Sequence, residues 1–189
     1  MDITSYLERS ERVIAAARQH PSTLRTEQAV NVIVEALAAG KPLLVCGNGG
    51  SASDAMHMTG ELVGRFLKER RALNCICLVS NPSVLTAWSN DYSFDTVFSR
   101  QVEAYGRQGG ILVGISTSGN SKNIIEAFKV ARAAGLNTIA LTGEGGGKLA
   151  ECSDILIDVP SRSTPLIQQV HICLYHYICE KVEARLTAP

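Results

Sequence analysis

Residues 42–61 read PLLVCGNGGSASDAMHMTGE, and this stretch decides the fold. PLLVC (42–46) is an apolar run with no polar alternation, the pattern of a strand buried on both faces of a parallel sheet. GNGGS (47–51) is a glycine-rich turn, and from residue 52 the composition turns helical. The same grammar recurs downstream. CICLV (75–79), ILVGI (111–115), TIALT (138–142) and DILIDV (154–159) read as further strands. Segments of helical composition lie between them, at 52–67, 83–105, 121–134 and 147–152, with a last helix from about 165 to 185. Two more helices, 2–19 and 23–39, lead the chain; Pro21 and Ser22 separate them, and Gly40 with Pro42 stops the second. In the second, Leu24, Val30, Ile33, Val34 and Leu37 form an apolar stripe, expected to pack on the sheet layer or on a partner subunit.

Alternating strands and helices predict the α/β class: a three-layer, doubly wound sandwich around a five-stranded parallel sheet. The length of 189 residues suits one domain, 1–189, with the two leading helices (about 1–40) as an extension. Lysine plus arginine equals aspartate plus glutamate at 18 each, which gives no electrostatic footprint for nucleic acid or an anionic membrane. The one local cluster, KERR (68–71), reads as a solvated loop. The six cysteines form no C-x-x-C pair and match no zinc-ribbon spacing, so buried, reduced thiols are expected. The amino terminus carries no apolar signal core, and no run reaches the roughly 18 apolar residues of a membrane helix. The chain reads as a cytoplasmic protein.

Ligands of open α/β sheets bind beyond the carboxyl ends of the strands. One loop there, ISTSGNS (115–121), opens a helix at about Ser121. Unpaired N–H groups and the helix dipole favour an anion at such a point. Ser116, Thr117, Ser118 and Ser121 add hydroxyl donors, and Gly119 admits a close approach. This is a phosphate cradle built without lysine; an ordinary N-capping loop needs one serine rather than four. The P-loop pattern is absent. G-x-G-x-x-A is formally present at Gly47, Gly49 and Ala52, but the second strand ends Val79-Ser80-Asn81, with no acid to grip a ribose.

His57 and Glu61 lie one helical turn apart, a spacing that also describes an ordinary surface ion pair. Gln168, Ile172 and His176 share one face of the last helix, while His171 points well around it. Brought together, His57, Glu61, Gln168 and His176 offer two nitrogen and two oxygen donors, a set for zinc or another late first-row divalent ion.

The runs CGNGGSASDAMHMTGELVGRF (46–66), ND (90–91), GISTSGNS (114–121), LTGEGGGKLA (141–150) and IQQVHICLYH (167–176) together resemble the phosphoheptose isomerase family of the sugar isomerase (SIS) superfamily. The resemblance implies the SIS fold with flavodoxin-like strand order, a cytoplasmic homotetramer and one zinc per subunit. It implies interconversion of sedoheptulose 7-phosphate and D-glycero-D-manno-heptose 7-phosphate, an early step towards heptose-containing surface polysaccharides. The family's zinc ligands fall on His57, Glu61, Gln168 and His176. Its substrate contacts fall on Asn48, Gly49, Gly50, Glu61, Asn90, Asp91, Ser116, Thr117, Ser118, Ser121 and Gln168, and an active-site arginine on Arg65, one turn beyond Glu61. This chain departs from relatives at SASD (51–54) and SRSTP (161–165). The chemistry asks a base, Glu61, to move a proton between C1 and C2, with His176 shuttling protons between the oxygens and metal or fixed donors stabilising an enediolate. Two other readings stay open at this level: an isomerase of another sugar phosphate, and a non-catalytic SIS binding protein of the kind that associates with a replication initiator. The latter relatives lack a carboxylate matching Glu61.

Overall fold

The computed structural model describes residues 2–187. Seven α-helices and five strands follow in order: α1 (Ile3–Gln19), α2 (Ser22–Ala38), β1 (Leu43–Gly47), α3 (Gly50–Val63), β2 (Cys75–Cys77), α4 (Pro82–Asp91), α5 (Val97–Tyr105), β3 (Ile111–Ser116), α6 (Lys122–Ala133), β4 (Asn137–Thr142), β5 (Ile155–Asp158) and α7 (Thr164–Leu186). All strand pairs are parallel, in the order β2-β1-β3-β4-β5. This is the predicted doubly wound arrangement. No helix of the described residues is long and apolar enough to cross a membrane.

The pleat sorts the strand residues by parity. Leu43, Val45, Ile111, Val113, Ile115, Ile139, Leu141 and Ile157 face one apolar cluster, shared with α2, α3 and α7. Leu44, Cys46, Leu112 and Ala140 face the other, shared with α5 and α6. Both faces are covered, which is why the strand sequences show no polar alternation. Cys46, Cys75, Cys77 and Cys179 are buried free thiols. Burial pushes the Cys46, Cys75 and Cys179 thiols up, away from the reactive thiolate.

The larger departures from the sequence reading lie at element boundaries and at Leu24. The helix expected over 83–105 is two helices, broken at Tyr92 and Ser93, where the Ser93 hydroxyl accepts from Asp95 N–H and starts a 3-10 turn at Phe94–Thr96. Residues Gly147–Glu151 are a 3-10 turn, entered through left-handed Gly146. β2 stops at Cys77. α3 ends at Val63 rather than residue 67. Leu24, placed on the apolar stripe of the second helix, is 71% exposed; Val30, Ile33 and Leu37 of that stripe are buried as expected, joined by Ala29. That face makes α2 part of the layer covering the sheet. Its start is tied to β5, where the Ser22 hydroxyl donates to Asp158 O (2.6 Å) and Arg25 pairs with the Asp158 carboxylate (3.0 Å).

His171, on α7, is fully buried, with Nε2–H donating to the Thr142 carbonyl (3.1 Å). Burial pushes its pKa down to about 4 from 6.5, against a smaller upward pull from that hydrogen bond. The folded imidazole therefore stays neutral where the unfolded one charges. Between these two values the unfolded chain binds more protons, so stability rises with pH across that window and is lost as pH falls. The loss attributable to His171 on going from above pH 6.5 to pH 4 is about 3 kcal/mol. Urea unfolding of the parent and His171→Gln proteins between pH 4 and 7.5 measures it; equal pH slopes in the two would refute the assignment.

Candidate active site

The turn after β1 and the loop after β3 lie at the carboxyl edge of adjacent strands, because β1 pairs with β3. Gly49, at φ 56°, takes a positive-φ conformation open to glycine and starts α3 without a side-chain cap. Asn48, in the same turn, exchanges two hydrogen bonds with Asn123 in the first turn of α6, each 2.9 Å. This amide pair joins the glycine turn to the serine-rich loop. In that loop Ser116 Oγ and Ser121 Oγ are 2.9 Å apart. Ser121 is the N-cap residue of α6 yet makes no side-chain capping bond. The Ser121 hydroxyl is engaged with Ser116 instead of the helix start. Gly119 (φ 65°) lies so close to the next loop that a Cβ there would sit 1.9 Å from the Gly146 carbonyl oxygen. Only glycine permits that approach.

α3 and α7 pack side by side. Ala55, Met58 and Leu62 meet Tyr175, Ile178, Cys179 and Val182 in one fully buried cluster. At the solvent border of this seam three side chains converge. His57 Nε2 is 3.0 Å from Glu61 Oε1 and 3.4 Å from His176 Nε2. The His57 and His176 rings meet edge to face with centroids 4.9 Å apart. The three ligand atoms lie within 4.8 Å of one another.

The donor set fits a cation. Tyr175 OH lies 3.0 Å from His57 Nδ1. With the proton assigned to Nδ1 and given to the tyrosine oxygen, the Nε2 lone pair faces Glu61 and His176. Lone-pair atoms this close repel one another unless a proton or a cation lies between them. Two imidazoles and a carboxylate are the ligand types of a transition-metal or zinc site. Tyr175 OH also points to Asp54 Oδ1 at 3.5 Å. Burial first, eased by Tyr175 and His57, pushes the Asp54 carboxyl above its ordinary range, and its Oδ2 has no partner among the described residues.

The other expected residues spread around this point. Gln168 lies against the start of α3, where a Cβ on Gly50 would sit 2.6 Å from its Nε2. Asn90 and Asp91 close α4, exposed and bonded to each other at 2.9 Å. Arg65 is exposed in the segment beyond α3, so it does not stack one helical turn above Glu61 as the spacing suggested. His171 turns away into the core, on the side of Thr142. Sequence reasoning passed over Asp54, Asn123 and Tyr175. Asp54 and His57 are three apart, a helical spacing that was available as a signal; Asn123 and Tyr175 gave none.

The SIS domain family model matches residues 5–143. That span ends before α7, which carries Gln168 and His176, so the wider superfamily match leaves part of the site uncovered. Full-length relatives cover it. The phosphoheptose isomerase of Geobacter sulfurreducens is 46% identical over 185 residues, 98% of this chain and 97% of that one. The phosphoheptose isomerase of Rhodospirillum rubrum is 53% identical over 159 residues, 84% of this chain and 85% of that one. The solved phosphoheptose isomerase of Neisseria gonorrhoeae superposes with TM-score 0.91 at 42% identity, covering 96% of this chain and 97% of that one. With sequence, fold and the length of both chains in agreement, this protein belongs to the phosphoheptose isomerase family of SIS-domain proteins.

Proposed function

We propose that the protein is an aldose–ketose isomerase that interconverts sedoheptulose 7-phosphate and D-glycero-D-manno-heptose 7-phosphate. The observation that carries this reading is the convergence of Glu61 with His57 and His176 in a chain of this family. A carboxylate there is what an isomerase needs and a pure binding module does not.

The roles follow from position. The serine loop, Ser116 to Ser121 at the start of α6, holds the phosphate through hydroxyl and backbone donors. Asn48, Gly49 and Gly50 lie along the sugar, with Asn90, Asp91 and Arg65 as further contacts. Anchoring the phosphate brings C1 and C2 of the open chain to Glu61, which converts binding into orientation. Glu61 takes the proton from one carbon and returns it to the other. His176 moves the proton between the two oxygens. His57, Glu61 and His176, with Gln168 as fourth donor, are the residues that would hold zinc. Zinc bound there would supply Lewis-acid stabilisation of negative charge developing on a substrate oxygen. A carboxylate held tightly by a metal would be a poor base, so the metal would either take a catalytic part or serve structure. Removal of the metal distinguishes these.

Proton NMR of sedoheptulose 7-phosphate with metal-replete protein is expected to show new aldoheptose anomeric signals. Glu61→Gln is expected to fold and to slow conversion by about 10²–10⁴-fold. Loss of turnover on chelation, with the fold intact, assigns the metal a catalytic part; unchanged turnover makes it structural. Absence of conversion by the folded, metal-replete parent would overturn the isomerase reading in favour of a binding protein.

We also propose a cytoplasmic homotetramer. Support comes from α1, which packs against α7 through Val13 and Ala17 yet leaves Ile3, Leu7 and Ile14 exposed along one stripe. Leu7 and Ile14 line a groove of about 480 Å³ on that face. A second copy is the natural cover for such a stripe. Light scattering is expected to return four times the 20.3 kDa chain mass, and Leu7→Glu to lower it. A parent monomer would refute the assembly.

A further inference from the structure

KERR (68–71) reads in the sequence as a solvated loop, and one of its residues is not solvated. The Arg70 side chain is 3% exposed and pairs at 3.1 Å with Glu183, whose side chain is 2% exposed. Glu183 stands on α7, two turns beyond His176. Its carboxylate accepts from the consecutive backbone N–H groups of Phe66 (2.9 Å), Leu67 (2.6 Å) and Lys68 (2.9 Å), and from Arg70 Nε (3.1 Å). Converging consecutive N–H groups form an anion nest. Here the anion is a carboxylate of the same chain. Burial alone would push that carboxyl up, but the N–H groups and Arg70 outweigh it and hold it below the ordinary glutamate range.

The other end of Arg70 bears on the site. One terminal nitrogen donates to the carbonyl of Glu61 (2.8 Å). The other donates to the carbonyls of Gly64 (3.2 Å) and Arg71 (3.1 Å). The last carbonyls of a helix lack intrahelical partners. Arg70 supplies partners for the end of α3, and one of them belongs to the residue whose carboxylate meets His57. Arg65 lies between the two pinned points, Gly64 O and Phe66 N–H, so its exposed side chain springs from a held backbone.

We propose that Glu183 and Arg70 are positioning residues for the isomerisation. Glu183 gathers the 66–68 backbone and orients the Arg70 guanidinium. Arg70 then locks the last turn of α3, so that the Glu61 carboxylate stands against His57 and His176. A displacement near 1 Å at a reacting group costs about 10²-fold in rate, so a loosened helix end is felt in turnover. This inference rests on the assignment of Glu61 above.

Arg70→Lys is the discriminating variant. It keeps the charge beside Glu183, but a lysine ammonium lacks the planar fork that reaches Glu61 O and Gly64 O together. The expected result is a folded protein with kcat per folded molecule lowered about 10–100-fold and zinc affinity, read by competition with a chromophoric chelator, lowered about tenfold. KM is expected to change far less than kcat, because the phosphate loop is untouched. Glu183→Asp keeps the charge, shortens the reach by one methylene and is expected to fall between parent and Arg70→Lys in both readouts. It also carries the test should Arg70→Lys not fold. A purely structural role would lower the melting temperature and leave kcat per folded molecule and zinc affinity at parent values in both variants; that outcome overturns the proposal. Glu61→Gln separates the two inferences. Parent-like turnover there sinks the base assignment, whereas the zinc-affinity loss in Arg70→Lys reports on the helix end alone.

Discussion

The contact on which the site depends is the packing of α7 against α3. The apolar side chains buried between them are Ala55, Met58 and Leu62 on α3 and Tyr175, Ile178, Cys179 and Val182 on α7. Both sets follow helical spacing, so each helix turns one apolar stripe to the other. Burying each of the larger side chains is worth about 1.5–3 kcal/mol, which makes the seam a strong constraint on where α7 lies. His57 precedes Met58 and His176 follows Tyr175. Each histidine therefore emerges at the rim of the seam, where apolar packing gives way to solvent. The convergence of His57, Glu61 and His176 is a by-product of hydrophobic registration, trimmed by the Tyr175 hydroxyl on His57 Nδ1.

The sheet supplies the second half of the arrangement. In the order β2-β1-β3-β4-β5 the chain reverses its direction of travel between β1 and β3. Crevices at such reversals are the usual ligand sites of open α/β folds. The glycine turn and the serine loop flank this one, joined by the Asn48–Asn123 pair. α6 sits tightly on β3: a Cβ at Gly114 would lie 2.5 Å from Ile124 and 2.6 Å from Phe128. That close seating aims the start of α6 at the loop, where its free N–H groups favour an anion.

Much of the fold was legible because the signals are local. Continuous apolar runs marked five strands, and glycine turns followed by helical composition marked crossovers. The misreadings also share a cause. The break at Tyr92 and Ser93 depends on one side-chain hydrogen bond to Asp95 N–H, which leaves no periodic trace. α3 stops at Val63 because the next backbone groups are claimed by Arg70 and Glu183, one of them 113 residues further along the chain than its partner. KERR looks like a solvated charge run, since nothing local says that its Arg70 will be buried against α7. Leu24 fits an apolar stripe by spacing but falls where no element covers it.

The amino-acid sequence alone determined the class of fold, the positions of the serine-rich loop and the glycine turn, and the His57–Glu61 pair, because each is encoded within a few residues of chain. His57 and Glu61 share a helix face whatever surrounds them. The tertiary structure decided that His176 completes the cluster while His171, five residues earlier on the same helix, is buried against Thr142. It decided too that Asp54, Tyr175, Arg70 and Glu183 stand behind the site. The pairings of His57 with His176, Asp54 with Tyr175 and Arg70 with Glu183 join residues more than a hundred positions apart, and their geometry follows from how the apolar faces of α3 and α7 close over the sheet. Periodicity reports which face of a helix is apolar; only packing reports what that face meets.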